Sequence, residues 1–370
     1  MIPISAVDSV SLAIQRTREF LFRQFTWGTY LKLSLVAIIT EGVGGNSFRS
    51  SSHSFGSNGH APTGHSPFPM TPGWPESGLP ASGWPGWLTP GVLAAIGVAV
   101  VAMILLSIVI FYLVTRLRFA YFHCLTTNTK LIHPGWGLYG AQAMRFFWLN
   151  IGVGLGFLGV LVLIAIPFVS GFIRLFQQIA QDGKPDIGLL LTLVLPLIPI
   201  FLLLVLAGIL AEIILRDWML PHIALEDATA GEAWSSVWAR IMAEKKEFFV
   251  YALLRVALPI VAAVGLFVLL MLPGLALAGA LAAVELGLHS LFADTTGGSA
   301  LVGILLQGFF GLIAFGFAVI AGICLGGPLS TGIREYALIF YGGRYKVLGD
   351  LLYPAPLPAS TSGPFGTARP

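Results

Sequence analysis

Long apolar runs alternate with short polar connections along this chain. The runs lie at about 28–44, 90–115, 147–172, 188–215, 249–272 and 299–325. A membrane-crossing helix needs roughly 18 or more apolar residues. The pattern therefore predicts an all-α integral membrane protein with about six transmembrane helices. The first run is short and carries Lys32 near one end and Glu41 near the other. A further apolar segment, 274–292, follows Pro273-Gly274, a pair that breaks or bends a helix. It reads as re-entrant, as interfacial, or as the tail of a tilted helix. Composition agrees with the runs: 56% of residues are hydrophobic and only 10% are charged, against about 25% charged in soluble domains. With a mean hydropathy of +0.87, a soluble core cannot enclose the chain.

Amphipathic stretches sit between the runs. In the N-terminal 30 residues Val10, Ile14, Leu21 and Phe25 form a narrow stripe opposed by Arg16, Glu19 and Arg23. These charges, with no A-x-A site behind an apolar core, predict that the first apolar run is retained rather than cleaved as a signal. In "GEAWSSVWARIMAEKKEFFVY", residues 231–251, Val237, Ile241 and Phe248 share a helical face with Trp234 and Trp238 at its flank. Ser236, Arg240, Lys246 and Glu247 point the other way. The pattern predicts a helix lying along a membrane surface, or one packed on the protein's own spans, since Glu244 and Lys245 interrupt its apolar face. Residues 133–153 give a weaker third version. Arg16, Arg23, Trp234, Trp238, Lys245 and Lys246 are the candidates for lipid or partner binding.

Two of these regions align. "RFAYFHCLTTNT" from Arg118 and "DWMLPHIALEDA" from Asp217 each follow an apolar run, with His123 and His222 at matching positions. Each precedes a Trp-bearing helix (Trp136, Trp234) and another span. The unit span, polar connection, surface helix, span is either an internal repeat or the shared composition of membrane proteins.

The chain divides into residues 1–40, an amphipathic helix with the first span; 41–88, a loop rich in Gly, Ser, Pro and His; 89–350, the polytopic domain; and 351–370, a Pro/Ser-rich tail. The loop has too little aliphatic surface to fold alone and predicts a flexible external segment. Trp84 and Trp87 are expected at the membrane surface. His53, His60 and His65 are too loosely spaced to predict a metal site.

Basic residues set the expected orientation. Of 20 Lys and Arg, 17 fall on the side holding the N-terminus, 116–146, 216–248 and the C-terminus, with Lys32 and Arg255. The other side holds Arg49, Arg174 and Lys184. This asymmetry predicts both termini in the cytoplasm. Spread over connections, the charge has no nucleic-acid footprint.

The N-terminal helix feeding "WGTYLKLSL", the block beginning "DWMLPHIALEDATAGEAW" and the closing "GPLSTGIREYALIFYGGRYKVLGDL" together resemble uncharacterised prokaryotic polytopic membrane families. The layout is similar to the membrane domain beside some glycerophosphodiester phosphodiesterases. The resemblance implies fold and a prokaryotic cytoplasmic membrane, and it carries over no functional residue. "GEA" at 231–233 resembles the coupling loop of ABC permeases, without that motif's later spacing.

Candidate chemistry is sparse. Glu212 stands one turn before Arg216 and pairs with it at i, i+4. Arg255, two turns into a span, snorkels or meets Glu212. Together with Asn150, expected to bond a neighbouring helix, these are the intramembrane polar candidates. Glu285 and His289 share a face but are two ligands only. Gly152 with Gly156, and Gly322 with Gly326, form G-x-x-x-G pairs that let helices approach. Pro167, Pro196, Pro199 and Pro259 predict kinks. Cys124 and Cys324 read as small buried hydrophobes. No Walker, G-x-S-x-G, H-E-x-x-H or paired-cysteine motif is present, so no catalytic residue, cofactor or resident metal is predicted. The expected function is a non-enzymatic membrane component that binds lipids, another membrane protein or a second copy of itself. The alternative is a transporter or lipid translocator with a site near the kinks of spans three to five.

Overall fold

A computed structural model describes residues 4–23, 25–42, 90–182, 187–292 and 298–353. The described residues form an all-α fold without strands. In chain order the elements are α1 (Asp8–Phe22), α2 (Trp27–Gly42), α3 (Pro90–Thr126), α4 (His133–Leu138), α5 (Gly140–Asp182), α6 (Ile187–Ile213), a π-helical turn (Ile214–Met219), α7 (Leu220–Leu225), α8 (Ala230–Ala243), α9 (Lys245–Phe292), α10 (Gly298–Gly342) and α11 (Lys346–Leu352).

Five stretches are long and apolar enough to cross a membrane: Gly91–Thr126, Gly140–Ala180, Ile187–Leu225, Lys245–Leu272 and Leu305–Gly342. Their most apolar portions leave nearly every residue exposed. Exposed apolar surface on this scale is what a bilayer covers; the chain is a multi-pass membrane protein.

The core gathers at one end of these helices. It contains Phe119, Tyr121 and Phe122 near the end of α3, Phe146 at the start of α5, and Trp218 and Leu220 beyond α6. Phe248 and Tyr251 at the start of α9 join Tyr336, Phe340 and Tyr341 near the end of α10. Tyr251 stacks on Tyr336 at 5.0 Å and on Phe340 at 4.3 Å between centroids. The chain thus enters and leaves the same layer at 116–146, at 216–248 and after α10, the grouping that the basic residues predicted.

The first expected span, 28–44, takes a different form. The described part of its helix, α2, has 16 residues, about 24 Å at about 1.5 Å per residue, short of a roughly 30 Å hydrocarbon layer. It is not among the five. Tyr30 at its start donates to the Cys324 carbonyl at 2.6 Å, while Thr40 and Glu41 at its end bond Arg118 and Arg216 inside the core layer. Glu41 does not lie across a span from those arginines.

Two other segments take definite form. Helix α9 runs unbroken through Pro273-Gly274 to Phe292, so of the three readings of 274–292 the helix tail is the one adopted. Residues 231–251 are two helices, not one, because Glu244 leaves helical backbone at φ −131°, ψ 48°. A capping box starts α8: Thr229 N–H donates to Glu232 Oε2 at 2.8 Å, and Glu232 N–H donates to Thr229 Oγ1 at 3.4 Å. That T-x-x-E signal was present in the sequence. The proline kink sites Pro167, Pro196 and Pro199 lie inside continuous helices, as does Pro259.

The aligned segments end alike. Thr127 N–H donates to His123 O and Glu226 N–H to His222 O, both at 3.0 Å. Each bond is followed by a residue at φ 52°, Asn128 and Asp227, the left-handed conformation that Asn and Asp tolerate. The three residues of each segment match one to one under the His123–His222 alignment.

Residues 43–89, which hold the histidines and tryptophans of the expected 41–88 loop, and residues 354–370 lie outside the described residues. So do the side chains of Glu285 and His289.

Candidate functional site

Five of the helices that enter the core layer, with the π-helical turn, deliver charges to it. Arg118 comes from α3, Glu212 from α6, Arg216 and Asp217 from the π-helical turn, Arg255 from α9, Arg334 from α10 and Glu41 from α2. The wider π turn lets two consecutive residues face inward, and Arg216 and Asp217 are both buried.

Asp217 is the hub. Its Oδ1 lies 3.1 Å from Arg334 Nη1 and its Oδ2 lies 2.8 Å from Arg255 Nε. The Tyr251 hydroxyl donates to Oδ2 at 2.8 Å. Arg334 also donates to the Arg216 carbonyl at 3.1 Å. Arg216 pairs with Glu212 at 3.2 Å and with Glu41. Arg255 reaches Glu41 at 3.5 Å. Arg118 Nε donates to the Thr40 carbonyl at 3.1 Å. Four guanidinium groups thus face three carboxylates. Burying such charges is costly unless each is paired; Arg216, Arg255 and Arg334 pair with Glu41, Glu212 and Asp217, while Arg118 is held by the Thr40 carbonyl. The gap bounded by Thr40, Glu41, Arg118, Tyr121, Arg216, Leu220 and Arg334 is too narrow for a water molecule.

The sequence reading placed Glu212 with Arg216 correctly. It sent Arg255 to Glu212 or to the surface, whereas Arg255 binds Asp217 and Glu41. It missed Arg118, Asp217 and Arg334 as ring members. The signal lay in the aligned segments, which open on Arg118 and Asp217. Asn150 stands apart from the ring's bonds: its Nδ2 donates to Phe146 O of its own helix at 2.7 Å, not to a neighbour.

The surface candidates separate into two groups. Arg16 is built into the protein: Nε pairs with buried Glu335 at 3.1 Å, and two further donors bind the Leu352 and Leu125 carbonyls at 3.0 Å. Arg240, expected to face water, donates to Ser236 O and lies over the Tyr345 ring at 5.2 Å. By contrast Arg23, Lys245 and Lys246 are exposed. Trp234 and Trp238 stack at 5.6 Å and remain 44% and 46% exposed, while Ala233 and Val237 turn inward. The inward face of α1 is Ser9, Ala13, Thr17, Phe20 and Leu21, and Ile14 points out. Just past α7, the Glu226 carboxyl is held below the ordinary carboxylate range, first by its hydrogen bond with His222.

The glycine pairs also divide. A Cβ on Gly152, Gly156 or Gly322 would meet nothing within 4 Å among the described residues. On Gly326 it would come 3.1 Å from Ile38. The tight contact belongs to Gly327, which the motif did not include: a Cβ there would stand 2.2 Å from Ser34 Cβ and 2.7 Å from its Cα. Gly327 is what lets α2 seat on α10. Among the described residues no three metal-ligating side chains converge, and both Cys124 and Cys324 are free thiols.

No curated protein and no solved structure matches the chain. One family does, over residues 4–351, and this covers the polar ring, the capped connections and the described helices from α1 to α10. The chain belongs to the family of unknown function DUF7544.

Proposed function

We propose that this protein is a non-enzymatic component of the prokaryotic cytoplasmic membrane that binds anionic lipid headgroups at its polar end. The observation that carries the reading is the α8–α9 corner. There the stacked Trp234 and Trp238 project from a helix whose inner face is buried, and Lys245 and Lys246 stand exposed at the start of the next helix. Indole rings favour headgroup depth, and a lysine close to an anionic surface contributes about 1 kcal/mol. Arg23 adds a third exposed cation. The 17-to-3 distribution of Lys and Arg favours a cytoplasmic position for this end.

The matched caps at Asn128 and Asp227 favour the repeat reading of 118–129 and 217–228. On that reading the buried ring is a structural keystone at the junction of the two copies. The alternative, a transporter, requires a wet polar path through the kinked spans. The sealed gap around Arg118, Arg216 and Arg334 favours the binding reading instead. Another membrane protein or a second copy would meet the same corner.

Native mass spectrometry of the detergent-solubilised protein, titrated with phosphatidylglycerol and with phosphatidylcholine, tests the reading. Lys245→Glu with Lys246→Glu should weaken phosphatidylglycerol binding about thirtyfold, from about 2 kcal/mol lost together, and leave phosphatidylcholine unaffected. Equal binding of phosphatidylglycerol by wild type and variant would sink it.

A further inference from the structure

His222 joins four elements. Its buried ring sits between the end of α7, α8, α10 and the connection into α11. Nδ1 lies 3.0 Å from Glu226 Oε2. Nε2 lies 2.8 Å from the Tyr341 hydroxyl and 3.1 Å from Arg240 Nη1. The Tyr345 ring packs on the imidazole at 4.2 Å between centroids. A guanidinium has donors only, so Nε2 must accept and the ring proton must sit on Nδ1, donated to Glu226. The position of Arg240 specifies a neutral imidazole.

We propose that His222 and Arg240 form a pH-sensitive latch that holds α8 against the polar end near neutral pH and releases it on acidification. Protonation at Nε2 turns an acceptor into a cationic donor 3.1 Å from a guanidinium. Both the hydrogen bond and the charge contact then become unfavourable. The groups facing the ring are Glu226 beyond α7, Arg240 on α8, Tyr341 on α10 and Tyr345 before α11. Glu226 favours the charged imidazole, but its side chain is 44% exposed, and water screens an exposed partner. Arg240 is held in a part-buried site by Ser236 O and the two tyrosine rings. It has no acceptor to offer. Trp234 and Trp238 ride on the helix that the latch controls. The device stands on the His222 geometry and is independent of what those tryptophans bind.

Hydrogen–deuterium exchange of the full chain in nanodiscs tests it. Protection factors, corrected for intrinsic exchange, are compared at about pH 7.5 and about pH 5.5, either side of the ordinary histidine range. In wild type, peptides from 230–243 should lose about tenfold in protection at the lower pH, the change that one pKa unit of coupling produces. Peptides from 334–341 should not change. His222→Gln and Arg240→Gln should each abolish the pH response of 230–243. His123→Gln, at the matching position of the other aligned segment, should retain it. Equal protection at both pH values in wild type overturns the latch. So does a response that persists in Arg240→Gln, which decides the matter if His222→Gln fails to fold.

Discussion

The two ends of the long helices obey opposite rules. At the polar end, charged side chains are buried and paired: Asp217 has no exposed side-chain surface, and Arg334 has 3%. Along the apolar lengths, leucines stand outside: Leu163 is 67% exposed and Leu272 76%. In water this arrangement would be inside out. It becomes reasonable when hydrocarbon is the solvent for the lengths and the protein is the solvent for the charges. Packing information is therefore concentrated in the layer that the helix ends share, and substitutions there should behave unlike those in the lengths.

The largest expected effect is at the hub. Asp217→Leu strips one partner from Arg334, Arg255 and Tyr251 at once. Leaving buried cations unpaired costs about 3–5 kcal/mol. Thermal unfolding in detergent should show a large loss or no folded protein, whereas Leu163→Ala on the exposed length should leave the midpoint nearly unchanged. A near-native midpoint for Asp217→Leu would erase the contrast.

Glycines sharpen it at intermediate size. Gly327→Ala forces a methyl into Ser34, and overpacking of this kind costs about 1–3 kcal/mol. Gly152→Ala and Gly156→Ala enter open space and should be neutral to slightly stabilising through helix propensity. Melting the three variants side by side ranks them. If Gly152→Ala were as harmful as Gly327→Ala, a second packed layer would exist on α5.

The smallest effect is at the rim of the polar end. His222 depresses the Glu226 carboxyl below its ordinary value. A depressed carboxylate contributes stability above its unfolded-state pKa and loses it as pH falls through the lower folded one. The midpoint of wild type should therefore fall slightly more than that of Glu226→Gln below about pH 4. Parallel curves would mean that the contact contributes nothing.

The sequence made the lengths legible and the layer only partly so. Apolar runs announce themselves by hydropathy, and three of the five spans begin within about four residues of the expected starts at 90, 188 and 249. The basic asymmetry also grouped the correct connections. Pairing partners were another matter. Asp217, Glu41 and Arg334 are 293 residues apart at the extreme in sequence, and nothing local says they meet. Amphipathic periodicity found only part of the inward face of α1: Leu21 is buried and Val10 packs on the core, but Ile14 points out while Ser9, Ala13 and Thr17 pack inward, since a helix that crosses another closely favours small residues over large ones. The G-x-x-x-G motif was half informative for a related reason: Gly326 meets Ile38 of α2, Gly322 meets nothing among the described residues, and the closest approach is one residue later, at Gly327. Pro273-Gly274 did not act as a break: α9 is continuous through it.

The central claim is that 127–139, 226–244 and 343–353 share one side of the membrane, closed over by the buried ring. Impermeant thiol labelling tests it most directly. Single cysteines replace the exposed Leu131, Ser235 and Val347 in a chain whose Cys124 and Cys324 are changed to serine. All three should stay unlabelled in intact cells and react together after permeabilisation. Labelling of Leu131→Cys and Ser235→Cys from opposite sides would contradict the account.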